Sequence, residues 1–167
     1  MIILGIDPGY AIVGVGVIEY SAGKFRYIKH GAITTPAGMA TTERLKKIHD
    51  EINDYLDEYK PDCMAIEELF FNTNQKTAIN VAQARGVLLV AAANRGIPIS
   101  EYTPLQVKQA ITGYGRAEKK QIQTMMKMML GLNAIPKPDD AADALAIAMC
   151  HAYSSGTNRK LGLNNVR

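Results

Sequence analysis

The sequence predicts an α/β fold: a mixed five-stranded sheet, three strands antiparallel and two parallel, flanked by helices on both faces. Three observations carry that prediction. Residues 2–33 hold three strand-like runs joined by tight turn chemistry with no helix between them. The remainder alternates strand-like runs with helical stretches, the pattern of parallel strands joined by crossovers. The composition, 47% apolar and 21% charged over 167 residues, is that of one domain with a real core.

The elements follow in order. Ile2 to Ile6 is a short apolar run that suits a buried strand, and Asp7-Pro8-Gly9-Tyr10 is turn chemistry. Ile12 to Glu19 carries Gly14 and Gly16, which suggests a strand with close backbone neighbours. After a turn at Gly23, Lys24 to Ile33 completes a three-stranded meander. Thr41 or Thr42 can cap a helix whose apolar residues Leu45, Ile48, Ile52, Tyr55, Leu56 and Tyr59 recur at helical spacing, closed by Pro61. Cys63 to Leu69 reads as a strand that a helical crossover places parallel to the first. Thr73 to Arg95 reads as a long helix ending at Gly96, and Ile97 to Tyr102 as the fifth strand. Helices are expected over Pro104 to Thr112, Glu118 to Leu130 and Asp139 to Tyr153. Met125, Met126, Met128 and Met129 read as core filling. One domain is expected over residues 1–153, with 154–167 a flexible tail.

Composition excludes several classes. Cys63 and Cys150 are far apart and lack metal-ligand spacing, so a zinc site is not expected, and two lone thiols suggest a reducing compartment. No secretory leader is visible, and the longest apolar stretch, Val87 to Ala93, is too short to span a bilayer. A cytoplasmic protein without a membrane partner is expected. The net charge of +3 is unevenly distributed. Residues 104–138 hold six cations (Lys108, Arg116, Lys119, Lys120, Lys127, Lys137) and one anion, Glu118, a net 6 − 1 = +5, leaving 3 − 5 = −2 elsewhere. A basic segment of this kind suits a polyanion.

The acids sit at element ends. Asp7 ends the first strand, Glu67 and Glu68 end the fourth, and Asp139, Asp140 and Asp143 open the last helix. If the first and fourth strands are parallel neighbours, Asp7 and Glu67 leave the sheet at one edge, where open α/β sheets place their sites. Asp140 and Asp143 share a helix face, and the alanines at 141, 142, 144 and 146 would let that helix approach the sheet closely. Two carboxylates about 4 Å apart repel by roughly 4 kcal/mol at an effective dielectric near 20, so clustered acids call for cations. All-oxygen ligands suit Mg²⁺ or Mn²⁺, and two such ions can clamp a phosphodiester while neighbouring lysines hold adjacent phosphates.

Gly5-Ile6-Asp7-Pro8-Gly9, Ala65-Ile66-Glu67, Gln83-Ala84-Arg85-Gly86, Val107-Lys108-Gln109, Ala117-Glu118-Lys119 and Asp140-Ala141-Ala142-Asp143-Ala144-Leu145-Ala146 together resemble the RuvC family of bacterial Holliday junction resolvases. The blocks run in order over residues 2 to about 153, and their joint pattern is specific. The resemblance implies an RNase H-like fold and a homodimer that binds a four-way DNA junction. That dimer would nick two strands of like polarity symmetrically in recombination and repair, with Mg²⁺ as cofactor, two ions per site, and Mn²⁺ able to substitute. It implies that the catalytic and metal-holding acids are Asp7, Glu67, Asp140 and Asp143, with Glu68 and Asp139 accessory. It also implies DNA contacts at Lys108 and Lys119, base stacking by Phe70, and coupling to the RuvA–RuvB branch-migration complex. Arg116 and Lys120 join the DNA-binding candidates through their place in the basic segment. The readings that compete are an actin-like ATPase, for which the chain lacks a second nucleotide lobe, a non-cutting junction-binding module, and a ribonuclease acting on RNA–DNA hybrids.

Overall fold

A computed structural model describes residues 1–69 and 75–160 of the chain, with side chains for 1–69 and 78–155. The order is β1 (Ile2–Asp7), β2 (Ile12–Ser21), β3 (Lys24–Thr34), α1 (Thr41–Tyr59), β4 (Cys63–Glu67), α2 (Gln75–Ala93), β5 (Ile99–Tyr102), α3 (Pro104–Thr112), α4 (Lys119–Met129) and α5 (Asp139–Lys160). The strands form one sheet in the order β3-β2-β1-β4-β5. β1, β2 and β3 pair antiparallel, while β1–β4 and β4–β5 pair parallel, as the alternation of strands and crossover helices predicts.

Strand parity divides the interior into two layers. Successive side chains of a strand point to opposite faces. Leu4, Ile6, Val13, Val15, Val17, Met64 and Ile66 face Ile48, Ile52 and Leu56 of α1 and Ala84 and Leu88 of α2. Ile3, Ile18 and Ala65 face the other way, onto α3, α4 and α5. α5 lies closest to the sheet. A Cβ at Gly5 would fall 2.0 Å from the Ala144 carbonyl oxygen, and one at Gly14 would fall 2.0 Å from that of Asp140. Glycine on the strands and alanine on the helix are therefore one feature: they set the separation of the two backbones.

The differences from the predicted elements have local causes. α1 is entered from Ala40, with no side-chain cap, because the Thr41 hydroxyl accepts from Tyr10 Oη at 2.9 Å. β4 stops at Glu67 rather than Leu69, although the Glu68 N–H still donates to Tyr102 O. α5 does not stop at Tyr153 but runs to Lys160, so residues 154–160 are helix rather than tail. The Ser154 and Ser155 hydroxyls donate back to Cys150 O and Ala152 O, and one glycine at 156 costs a helix only about 1 kcal/mol. Met126 is buried, with Met125 and Met129 packed beside it, but Met128 points to solvent and does not fill the core. Residues i and i+2 on a helix do not share a face.

Candidate active site

Parity also fixes where the strand acids go. Gly5 and Ala65 are register partners across the parallel β1–β4 pair, as are Ile6 and Ile66, so Asp7 and Glu67 come next on adjacent strands. Asp7 lies two residues beyond Gly5, and Glu67 two beyond Ala65. Both acids therefore lie on the face that packs against α5. Asp7 is also the register partner of Gly14, over which the Asp140 backbone passes. One close approach thus brings the first turn of α5 to the ends of β1 and β4.

The electrostatics record that convergence. The Asp7 carboxyl is pushed up to about 8 by burial, then by the charges of Glu67, Asp143 and Asp140, with Lys119 opposing. Glu67 is pushed up to about 7 by burial and by Asp143, against Lys108 and Lys119. Burial also raises Asp143, and its hydrogen bond to Lys119 opposes the rise. The Lys119 ammonium lies 2.9 Å from Asp143 Oδ2. Burial alone would lower the pKa of Lys119, but its bond to Asp143 and the charges of Asp140 and Asp139 raise it instead. Glu67, Asp143, Lys108 and Lys119 line a cavity of about 210 Å³ with an apolar back of Pro104, Val107, Ile122 and Ala146.

The remaining candidates lie outside this cluster. Asp139 turns to Lys137 at 2.7 Å, and Glu68 is exposed. Arg116 and Lys120 are exposed and do not line the cavity. Phe70 lies outside the described residues. One residue to which the motifs assign no role does reach the cluster. Arg85 of α2 donates from Nε to the main-chain oxygen of Glu67 at 3.3 Å, and from Nη2 to the Glu101 carboxylate. The signal in the sequence is its isolation: it is the only charged residue between Lys76 and Arg95.

The donor set is all carboxylate, and burial raises Asp7, Glu67 and Asp143 toward protonation, the chemistry that a hard divalent cation relieves. Among the described residues, no three of these side chains stand in ready ligating geometry. This is looser than the clustered acids that the sequence predicts. Like charges repel, and Asp143 pairs with Lys119 instead.

Residues 3–151 match the crossover junction endodeoxyribonuclease RuvC family. The chain belongs to that family. RuvC from Alkaliphilus oremlandii is 60% identical over 154 residues, covering 92% of this chain and 94% of the relative. The solved RuvC of Thermus thermophilus is 37% identical, with a TM-score of 0.84 and 98% of each chain covered. The same RuvC in complex with a Holliday junction substrate superposes with a TM-score of 0.89, covering 98% of this chain and 97% of that one. Among the described residues, no helix is long and apolar enough to cross a membrane.

Proposed function

We propose that this protein is a structure-specific endodeoxyribonuclease that resolves four-way DNA junctions by paired, symmetric nicks in recombination and repair. The observation that carries the reading is the group of carboxylates at the ends of two parallel strands and the start of α5, set against Lys119 and Lys108. Membership of the RuvC family and the Holliday junction named for the Thermus complex support the substrate. Asp7, Glu67, Asp140 and Asp143 are the residues that would hold divalent cations. Mg²⁺, two ions per site, is the expected species, with Mn²⁺ able to replace it. Such cations supply Lewis-acid activation of water and charge neutralisation at a phosphodiester.

The protein's own side chains have the following roles. Asp7 and Glu67 follow the last register partners of the parallel β1–β4 pair, which sets their spacing. Lys119 neutralises Asp143 in the free protein and is free to turn toward phosphate when the carboxylate finds another cation. Lys108, half-buried on the cavity wall, holds the phosphate next to the scissile one. Arg116 and Lys120, outside the cavity, bind flanking phosphates, and Phe70 stacks on an unpaired base at the junction centre. A C2 homodimer supplies the second active site that paired nicking needs. Work in the cytoplasm beside the RuvA–RuvB branch-migration complex belongs to the same reading.

The test is cleavage of a synthetic four-way junction, an RNA–DNA hybrid and a plain duplex, each with and without Mg²⁺. Symmetric nicks in the junction alone, and only with metal, are expected. Preferential cutting of the hybrid, or binding of the junction without cutting, would refute the proposal.

A further inference from the structure

Arg85 has an unusual position for a cation. Its neighbours in α2 are apolar or small, Ala84 is buried against the sheet, and the Arg85 side chain is itself only 14% exposed. Its guanidinium points back across the C-terminal end of β4. One nitrogen donates to the carbonyl of Glu67, the residue whose carboxylate faces the cavity. Another pairs with Glu101 of β5, whose register partner on β4 is Ile66. One planar fork therefore links α2, β4 and β5 at the point where β4 ends. The strand ladder ends there too: Glu67 is the last β4 residue in register with β5, opposite Tyr102. Beyond it the Glu68 N–H makes one more bond, and then the chain leaves the sheet.

A carboxylate at a strand end inherits the freedom of the last peptide unit, because only one neighbouring ladder bond restrains it. We propose that Arg85 is the positioning residue for Glu67, fixing the peptide that carries the carboxylate through its own carbonyl oxygen. This rests on the reading of Glu67 as a working carboxylate, and it gives a role to the Gln83-Ala84-Arg85-Gly86 block. The fork needs two donors in a fixed plane, one for a carbonyl and one for a carboxylate. Lysine offers a single ammonium and cannot serve both acceptors in the same way.

The experiment compares Arg85→Ala, Arg85→Lys, Glu101→Ala and Glu67→Gln with the parent protein. Four quantities are read: kcat and KM on a synthetic four-way junction, junction Kd in EDTA, Tm, and the rise in Tm that MgCl₂ produces without DNA. Arg85→Ala is expected to lower kcat about 10- to 100-fold, as loss of a group that orients a metal ligand does. Its KM and junction Kd should stay within about twofold of the parent, and its Mg²⁺-dependent Tm rise should shrink. Arg85→Lys should fall between Arg85→Ala and the parent. If Arg85→Ala does not fold, Glu101→Ala, which keeps the arginine but removes its anchor, should still show a several-fold loss of kcat at parental Kd. Parental kcat in a folded Arg85→Ala, or in Glu101→Ala, overturns the assignment while Glu67→Gln stays inactive. A Glu67→Gln protein that cuts at the parental rate removes the underlying reading instead.

Discussion

Asp7 shows what the site costs the protein. Its carboxyl is raised from 3.8 to about 8, and that of Glu67 from 4.5 to about 7. An acid with a raised folded-state pKa holds more protons folded than unfolded across that interval, so stability falls as pH rises through it. In metal-free buffer, Tm should therefore decline between about pH 4 and about pH 8 and level off above. Asp7→Asn removes the larger of the two shifts. We expect it to raise Tm at the alkaline end while lowering cutting more than about 100-fold, since merely disturbing a metal ligand's neighbour costs 10- to 100-fold. Junction binding should persist. Thermal scans over pH, with gel-shift and cleavage assays on both proteins, check this; a pH-independent Tm in the parent would contradict it. The acids were legible in the sequence because Asp7 and Glu67 end strands and Asp140 and Asp143 share a face at the start of the last helix. Arg85 was visible only as a lone cation in the Gln83-Ala84-Arg85-Gly86 block, and its role was not readable, because one partner is a main-chain oxygen and the other, Glu101, meets it only through the fold of the next strand. Phe70 lies outside the described residues, so its stacking stands as an expectation.

The element that decides the geometry is α5. It crosses β1 and β2 on glycines, and its face against them is alanine: Ala141, Ala144 and Ala148 are fully buried. The small-residue pattern made this approach readable from the sequence, whereas the strand order was anticipated only in the pairing of the first and fourth strands. Details that depend on competition between side chains were not readable. Thr41 forgoes capping for Tyr10, and α5 continues past Tyr153 because nothing there halts it. The approach can be tested directly. Gly14→Ala places a methyl where the Asp140 carbonyl lies, and backbone cannot rotate aside as a long side chain can. Overpacking of this kind typically costs about 1–3 kcal/mol, and here it also lifts the first turn of α5 from the strand ends. Urea denaturation should show that loss, with cleavage reduced beyond what the unfolded fraction explains. Parental stability in Gly14→Ala would mean that the helix has room to spare.

On the scale of the whole molecule, the basic segment and the α1–α2 pair lie on opposite sides of the sheet. The +5 segment, residues 104–138, comprises α3, α4 and their loops, on the α5 side. Each phosphate contact contributes about one unit to the dependence of log K on log salt, so Lys108→Ala should lower that slope by about 1 in junction titrations. An unchanged slope would place Lys108 off the DNA path. The opposite layer has a groove of about 560 Å³ between α1 and α2, lined by Leu45, Val87 and Val90 together with Lys46, His49 and Gln83, with Ile79 also exposed on α2. In the proposed reading, paired nicking needs two copies of the site, and a two-fold dimer would bury one surface against itself. The α1–α2 side can do so without covering the carboxylates or the lysines. Val90, 55% exposed, is the residue to change. Val90→Glu puts like charges on both sides of a self-complementary surface. It should shift sedimentation from dimer to monomer and remove the concentration dependence of Tm that an associating protein shows. The expected cleavage pattern is single, unpaired nicks, since each monomer keeps its carboxylates. A Val90→Glu protein that remains dimeric and still cuts in pairs would move the contact to another face.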